Sequence, residues 1–358
     1  MSISTTSYSD SHTWKEIISQ AQVWQDVLRS VGQSQRVADV LKQTEARNRW
    51  IFVGCGTSFY LAEAAALTWM SLTGEPARAL PGSEVLLYPE LLRAERAGAQ
   101  AVVISRSGKT SEAVRAASVL RRELGIPALG VTCAEHSELE RACDMAIILR
   151  EADEESTVMT RSFTSMLITL QFLAARRAGN TEFADQLGLV SECFAPQILS
   201  IAERVDAFVD ANSFADYVFL GQGAFHGIAR EAALKVMEMS CSYSQFFHAL
   251  EFRHGPKAIV SPETCLTFFL GKNGDKAEAE VLSEMKDLDG SVFAVCNRAN
   301  AEVKSRADLL VELNIPANEL ALLAPSVVPA QLLGFLTGIG KGLNPDAPKN
   351  LTRVVMLD

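Results

Sequence analysis

Short apolar runs alternate with helical patterns along most of the chain. Each run is rich in β-branched or aromatic residues and predicts a buried strand. The runs cover residues 50–53, 102–105, 128–132 and 145–149 in the first half, and 217–220, 266–270, 291–295 and 309–313 in the second. Strands that alternate with helices indicate an α/β fold, with a doubly wound, mainly parallel sheet covered by helices on both faces.

Two further stretches predict helices outside this alternation. Residues 14–31 place apolar side chains at helical spacing and predict one amphipathic helix that packs against the core. Residues 320–340 form the most hydrophobic window, but Pro325, Pro329 and Gln331 make it a poor membrane span. We therefore expect a buried core helix there, and no membrane partner.

The second half of the sequence repeats the first. The segment Tyr-Val-Phe-Leu-Gly-Gln-Gly at 217–223 mirrors Trp-Ile-Phe-Val-Gly-Cys-Gly at 50–56, an offset of 167 residues. We expect two domains of one topology in tandem. The predicted boundaries give a tail and first helix at 1–33, a first domain at 34–195 and a second domain at 196–358.

Residues 105–110 read Ser-Arg-Ser-Gly-Lys-Thr and stand between a predicted strand and a predicted helix. Free N–H groups at a helix start, the helix dipole and three hydroxyl groups together suit an anion such as phosphate. An ordinary strand–helix turn has the same local pattern, and this stretch alone does not separate the two. The corresponding residues 271–275 lack hydroxyls and include an acid, so we expect one phosphate site, in the first domain.

Three charged residues of the second half share one helix face. Glu231, Lys235 and Glu238 are spaced by four and three. A solvated face with intrahelical ion pairs has the same spacing. The preceding Gly-x-Gly turn and the apolar neighbours favour a place beside a ligand instead.

His254 precedes a Gly-Pro pair that forces a turn, so it is a candidate acid–base group on a loop.

Composition narrows the possible partners. A net charge of −10 and a pI near 5.2 argue against nucleic acid but allow a small phosphorylated ligand. The seven cysteines are scattered without a Cys-x-x-Cys pair, which indicates free thiols in a reducing compartment. Residues 1–12 contain no apolar signal core. We expect a cytoplasmic protein with no metal site and no cofactor.

Six blocks of the chain, from about Trp14 to Asp358, resemble the double SIS (sugar isomerase) family. The chain is similar to the isomerase half of glucosamine-6-phosphate synthase and to bacterial SIS-type amino-sugar-phosphate deaminases and isomerases. The blocks are Cys-Gly-Thr-Ser at 55–58, Ser-Arg-Ser-Gly-Lys-Thr at 105–110, Glu-Glu-Ser at 154–156 with Thr-Arg-Ser-Phe-Thr at 160–164, Glu-Ala-Ala-Leu-Lys-Val-Met-Glu at 231–238, Arg-His-Gly-Pro at 253–256, and Asn-Leu-Thr-Arg at 350–353.

The resemblance implies a role for each matching residue. The residues that it implies for binding the sugar phosphate are Gly56, Thr57, Ser58, Ser105, Arg106 through its main chain, Ser107, Thr110, Glu154, Thr157 and Arg353. It implies that Glu238 moves a proton between C1 and C2 and that Lys235 lies beside the reacting centre. It also implies a homodimer with shared active sites, in which His254 reaches in from a neighbouring subunit to assist ring opening.

The chain departs from the synthase in two ways. The synthase has a glutaminase domain before this region, whereas here a short tail precedes Trp14, so we expect no glutamine-driven amination. The synthase pattern also has a lysine where this chain has Arg353. Arginine stays protonated and cannot form the Schiff base that a lysine can form.

The leading hypothesis is an enzyme that isomerises or deaminates a hexosamine or ketose 6-phosphate. Proton transfer between C1 and C2 needs one placed carboxylate and one cation for the enediol, which Glu238 and Lys235 would supply. One alternative is a deglycase that acts on fructosamine 6-phosphate. The other is a regulator that binds a sugar phosphate without turnover.

Overall fold

The computed structural model describes residues 8–272 and 274–357, so the first seven residues of the predicted tail lie outside the described chain. The helices are α1 (His12–Ile18), α2 (Gln20–Gly32), α3 (Gln35–Gln43), α4 (Thr57–Thr73), α5 (Gly82–Leu87), α6 (Ser111–Arg122), α7 (Glu138–Ala142), α8 (Arg161–Arg177), α9 (Thr181–Phe194), α10 (Ile198–Ala211), α11 (Ala224–Ser240), α12 (Asp275–Asp287), α13 (Ala301–Arg306) and α14 (Leu323–Gly340). The strands are β1 (Arg49–Gly54), β2 (Ala77–Pro81), β3 (Ala99–Ile104), β4 (Ala128–Thr132), β5 (Met145–Ile148), β6 (Asp216–Gly221), β7 (Tyr243–Phe247), β8 (Thr264–Phe269), β9 (Ser291–Cys296) and β10 (Leu309–Glu312).

The described strands form two five-stranded sheets in which every pair is parallel. The first sheet has the order β2-β1-β3-β4-β5, and the second has the matching order β7-β6-β8-β9-β10. α-Helices separate consecutive strands of each sheet, as parallel crossovers commonly require, except between β7 and β8, where two 3-10 turns stand instead (Glu251–Arg253 and Pro256–Ile259). The predicted α/β fold with two doubly wound parallel sheets is confirmed.

Two compact units divide the chain, and each contains one sheet. The first-sheet unit comprises Gln22–Glu154, Arg161–Leu189 and residues 352–357; the second-sheet unit comprises residues 8–21, Glu155–Thr160 and 190–351 apart from residue 273. The predicted domain boundaries after residues 33 and 195 stay a prediction.

Each unit buries its apolar core against its own sheet. In the first-sheet unit Val53 and Val103 of neighbouring strands pack with Leu120 of α6, and all three are fully buried. In the second-sheet unit Phe268 of β8 and Leu282 of α12 are fully buried in the equivalent core. Continuous burial on both faces explains why the central strands read as unbroken apolar runs.

Three features differ from the sequence-based expectation. The apolar runs do not predict the edge strands β2 and β7. Every residue of β2 is only half-buried, and β7 mixes polar with aromatic residues. The single helix expected at 14–31 is two helices, α1 and α2, that break at Ser19. The Ser19 hydroxyl donates to the carbonyl of Glu16 at 3.2 Å, a local bond that competes with the helix.

The apolar helix expected at residues 320–340 is present as a short 3-10 turn followed by α14. Within the described residues, Glu319–Gly340 is the one helical stretch whose length and apolar composition suffice to cross a membrane. Of its most apolar window, 94% is buried inside the protein, which is typical of a core helix. The predicted core helix is confirmed.

Candidate active site

The site of the first-sheet unit starts where β1 ends. A Cβ on Gly54 would lie 2.3 Å from the carbonyl oxygen of Ser58, so only glycine lets α4 begin this close to the strand. Gly56 has a φ of 54°, which favours glycine. Thr57 and Ser58 are buried in the first turn of α4. The predicted sugar-binding residues Gly56, Thr57 and Ser58 therefore lie at the carboxyl end of β1.

The phosphate loop, residues 105–110, lies at the carboxyl end of β3, next to β1 in the sheet. Strand order reverses between these two strands, since β2 follows β1 on one side and β4 follows β3 on the other. Ligands of open α/β sheets bind in the crevice at such a switch point. The phosphate loop and the glycine turn thus flank the position where this topology binds ligands.

Contacts to neighbouring segments fix the conformation of the phosphate loop. Gly108 has a φ of 61°, and a Cβ there would lie 2.4 Å from the hydroxyl of Ser137. The carbonyl of Gly108 accepts the N–H of Leu139 at 2.8 Å, and the carbonyl of Arg106 accepts the hydroxyl of Thr132 at 3.0 Å. These contacts hold the loop in its conformation.

The phosphate loop presents donors at the start of α6. Ser105 donates its hydroxyl to that of Thr110 at 3.3 Å, and the Ser107 hydroxyl accepts the N–H of Lys109 at 3.2 Å. Within residues 8–272 and 274–357, the main-chain N–H groups of Ser107 and Thr110 have no acceptor. Free N–H groups, hydroxyls and a helix N-terminus together suit a phosphate.

The side chain of Arg106 turns into the protein interior. Its Nη1 lies 3.6 Å from Oε2 of Glu154, and the two side chains are 4% and 0% exposed. The Ser162 hydroxyl donates to the same carboxylate oxygen. In this arrangement Glu154 holds the loop through Arg106, and the guanidinium of Arg106 is directed away from solvent. Direct substrate contact by Glu154 stays a prediction.

Residues 352–357 contact the phosphate loop and the first residue of α6. Arg106 donates to the carbonyl of Arg353 at 3.2 Å, and Ser111, the first residue of α6, donates its N–H to the carbonyl of Val355 at 3.3 Å. Arg353 itself donates to the Asp153 carboxylate at 3.0 Å. The guanidinium of Arg353 therefore anchors this terminal segment beside the loop.

The second-sheet unit repeats the glycine turn at the end of β6. A Cβ on Gly221 would lie 2.4 Å from the carbonyl oxygen of Phe225, and Gly223 has a φ of 56°. The helix that follows is α11, which carries the predicted catalytic face. Its first turn lies at the carboxyl end of the strand, as the first turn of α4 does in the other unit.

Lys235 stands between two carboxylates on α11. Its Nζ lies 3.3 Å from Oε1 of Glu231 and donates to the carboxylate of Glu238. The side chains of Lys235 and Glu231 are fully buried, whereas that of Glu238 is 18% exposed. Burial lowers the pKa of Lys235, but the two carboxylates raise it by more, so Lys235 is a cation. Glu238 is the member of the group that solvent can reach.

Two glycines of α14 set the position of α11. A Cβ on Gly334 would lie 3.0 Å from the carbonyl oxygen of Lys235, and one on Gly338 would lie 2.3 Å from that of Met239. The two helix backbones therefore touch along the turn that carries the charged group. The sequence carries this signal as a Gly-x-x-x-Gly pattern at residues 334–338.

His254 lies on an exposed loop of the second-sheet unit. It follows a 3-10 turn (Glu251–Arg253) and precedes Gly255, whose φ is 120°. Arg253 anchors the turn through an ion pair of 2.7 Å with Glu284 on α12. Exposure suits a residue that meets a partner subunit, and that role stays a prediction.

A stacked histidine pair is a feature that the sequence does not reveal. The rings of His226 and His248 lie 3.8 Å apart between centroids, at an interplanar angle of 11°. Burial, His248 and Arg230 lower the pKa of His226 to about 4. His226 stands in the first turn of α11, and His248 directly follows β7. The pairing depends on how these two elements pack, so no local sequence pattern predicts it.

The predicted site residues divide between the two units. Those in the first-sheet unit are Gly56, Thr57, Ser58, Ser105, Arg106, Ser107, Thr110, Glu154 and Arg353; those in the second-sheet unit are Thr157, Lys235, Glu238 and His254. Thr157 is half-buried in a segment fixed by Glu16, which accepts the N–H of Glu155 at 2.6 Å. Among the described residues no group of three or more His, Cys, Asp or Glu is placed to hold a metal ion.

The family model of the SIS domain matches residues 44–176 and 190–336. The chain belongs to the SIS domain family. Each match contains one of the two sheets, so the resemblance that the sequence blocks indicate is confirmed.

Three proteins similar to this chain are named for reactions of sugar phosphates. Glutamine–fructose-6-phosphate aminotransferase (isomerizing) of Pyrobaculum aerophilum is 28% identical over 321 residues, 87% of this chain and 52% of that protein, so the chain spans about half its length. The structure of glucosamine-6-phosphate deaminase from Thermotoga maritima matches with a TM-score of 0.79 and 29% identity, over 97% of this chain and 100% of that one. Tagatose-6-phosphate ketose/aldose isomerase from Escherichia coli shares the fold, with a TM-score of 0.82 and 22% identity over 97% of this chain and 96% of that one.

Proposed function

We propose that this protein is a phosphosugar enzyme that deaminates a 2-amino-hexose 6-phosphate to the ketose phosphate and ammonia. The observation that carries the proposal is the Lys235–Glu238 pair, one turn apart on α11, with Lys235 buried and Glu238 open to solvent. The likeness to the Thermotoga maritima deaminase over 97% of this chain and 100% of that one supports an amino sugar as substrate.

The chemistry needs one base and one nearby cation. Once the ring is open, Glu238 removes the proton from C2, and electrons shift into a C1–C2 double bond while the C1 oxygen gains a proton. Return of a proton to C1 leaves an imine at C2, which adds water and releases ammonia. The charge that develops at C1 and C2 is stabilised by a cation, the role of Lys235.

We assign recognition of the phosphate group to the phosphate loop of the first-sheet unit. A sugar phosphate carries its charge at C6, away from the carbons that react. Binding that charge through Ser105, Ser107, Thr110 and free main-chain N–H groups gives affinity without interfering with C1 and C2. Isomerisation of a ketose phosphate uses the same proton transfer and is the second candidate, because nothing in it requires an amine.

An assay of a substrate panel tests the proposal. Glucosamine 6-phosphate and galactosamine 6-phosphate should release ammonia and form a ketose phosphate in equal amounts. Ketose–aldose conversion of fructose 6-phosphate or tagatose 6-phosphate without ammonia would identify an isomerase instead. Turnover of fructosamine 6-phosphate adducts alone would identify a deglycase, and binding of sugar phosphates without any turnover would identify a regulator.

We also propose that the active protein is a homodimer to which His254 contributes across the subunit interface. His254 stands on an exposed loop, and ring opening needs an acid–base group beside O5 of the sugar. A mixture of a His254→Ala chain with a Glu238→Gln chain should regain part of the activity through hybrid sites. A monomer with full activity would exclude the shared site.

A further inference from the structure

The second-sheet unit contains a cavity of about 640 Å³ at the carboxyl ends of β8, β9 and β10. This volume is typical of small-molecule sites. The residues of the cavity wall that bear on its chemistry are Phe225, Lys272, Asp275, Arg298 and Glu319. Lys235, Glu238 and His254 do not line it. The cavity is therefore distinct from the residues proposed above for proton transfer.

The loop at this cavity corresponds to the phosphate loop, since β8 holds the place in the second sheet that β3 holds in the first. Two of its main-chain donors are already used. The N–H of Gly271 donates to Glu278 at 3.1 Å, and the N–H of Lys272 donates to Glu319 at 2.7 Å. Carboxylates of the chain itself thus occupy the donors that a phosphate would need, and repel an added anion.

Two carboxylates of the cavity wall, Asp275 and Glu319, lie near the buried carboxyl of Glu278, while the cations of the same wall, Lys272 and Arg298, are exposed. The Glu278 side chain is 1% exposed, and within the described chain its Oε1 has no hydrogen-bond partner. Burial, together with the charges of Glu319 and Asp275, raises the pKa of Glu278 to about 7 despite the hydrogen bond from Gly271. A positive charge in the cavity would relieve this repulsion.

An aromatic ring replaces a hydroxyl at the same cavity. Phe225 stands at the position that corresponds to Ser58 in the first half, at the offset of 167 residues. A Cβ on Gly271 would lie 3.4 Å from both the Phe225 ring and the Glu319 carboxylate, so the two groups approach the loop together. A ring beside a carboxylate suits a protonated amine. The exposed side chains of Lys272 and Arg298 remain for hydroxyl groups at the rim.

We propose that this cavity is a second ligand site, which binds an amino sugar with its ammonium group at Glu319 and Asp275 and its body against Phe225. The site goes beyond the proposed deaminase function and does not depend on it. It is a diverged copy of the phosphate-binding edge, in which the charge preference has reversed from anion to cation.

Calorimetric titration with glucosamine, which lacks a phosphate, tests the site directly. We expect one glucosamine per chain, with glucose and N-acetylglucosamine bound at least about ten-fold more weakly because they lack the charge. Saturating fructose 6-phosphate should leave glucosamine affinity unchanged. Ethanolamine should also bind more weakly, because it carries the charge without the sugar body.

Matched variants connect binding to the cavity. Glu319→Gln keeps an acceptor for the N–H of Lys272 but removes the charge, so glucosamine affinity should fall about ten-fold. Asp275→Asn should also lower glucosamine affinity, and it provides an independent test if Glu319→Gln does not fold. Glu263→Gln is the control, because Glu263 is exposed at the opposite, amino end of β8.

The proposal is overturned by equal affinity for glucose and glucosamine, by ethanolamine binding as tightly as glucosamine, or by competition from fructose 6-phosphate. It is equally overturned if Glu319→Gln and Asp275→Asn, both with wild-type thermal stability, bind glucosamine as Glu263→Gln does. None of these outcomes depends on whether the enzyme deaminates its substrate.

Discussion

Nζ of Lys235 donates a hydrogen bond to Glu238 across one turn of α11 and also lies 3.3 Å from Oε1 of Glu231. One cation is shared by two carboxylates, of which only Glu238 is partly open to solvent. A base must reach its substrate, whereas the buried partner need only hold the cation in place. This asymmetry supports the proposal that Glu238 transfers the proton and that Glu231 orients Lys235.

Glu238→Gln should remove most turnover and leave substrate binding nearly intact. The amide keeps the shape and can still accept a hydrogen bond from Lys235, but it cannot take a proton. Loss of a general base costs about 10²–10⁴-fold in kcat, with KM changed little. Steady-state kinetics with glucosamine 6-phosphate measures this, with Glu203→Gln on the exposed face of α10 as control. Near-normal kcat in the Glu238 variant would mean that another group is the base.

Ser107→Ala should weaken binding of phosphorylated sugars by about 1–3 kcal/mol, the cost of one charge-assisted hydrogen bond. Affinity for the same sugars without phosphate should not change. The control is Ser118→Ala on α6, whose hydroxyl donates to the carbonyl of Val114 at 3.2 Å, away from the loop. If wild-type protein bound the sugar equally well with and without its phosphate, the loop would not be a phosphate site.

Glu154→Gln should lower the free energy of unfolding by about 3–5 kcal/mol, because it leaves the buried guanidinium of Arg106 without a counter-charge. The double change Arg106→Met with Glu154→Leu should cost less, since no buried charge remains. Urea unfolding compares both with Asp153→Asn, whose exposed carboxylate should contribute less than about 1 kcal/mol. A single variant no less stable than the double variant would show that the pair does not hold the loop.

Glu278 should make the protein less stable as pH rises from about 4.5 to about 7. Over this range the folded carboxyl keeps a proton that the unfolded chain has lost, because its pKa is raised to about 7. The effect is at most about 3 kcal/mol. Glu278→Gln removes it, so its unfolding free energy should fall less than that of the wild type between about pH 5 and pH 8. A variant whose stability follows the wild-type pH profile would refute the shift.

The sequence predicts what depends on local spacing. The charged face of α11 follows from spacings of three and four, and the central strands follow from continuous burial. The ion pair between Arg106 and Glu154 does not follow, because it joins a loop to a segment 48 residues away that only the fold brings near. The carboxylates at Gly271 show the same limit: the lost hydroxyls are visible in the sequence, but the bond from Gly271 to Glu278 is not.

The protein should form no Schiff base with fructose 6-phosphate. An amine must be neutral to attack a carbonyl, and Lys235 is kept protonated because Glu231 and Glu238 raise its pKa by more than burial lowers it. Arg353 is paired with Asp153 at 3.0 Å, and a guanidinium is a poor nucleophile that forms no Schiff base. Incubation with fructose 6-phosphate and borohydride, followed by mass spectrometry, should therefore show no stoichiometric reduced adduct. Arg353→Lys is the matched variant, since it restores an amine that can deprotonate, and an adduct at residue 353 should appear only there. A stoichiometric adduct on Lys235 of the wild-type chain would show that the two carboxylates do not keep this lysine protonated. Imine formation at Lys235 would then be part of the mechanism.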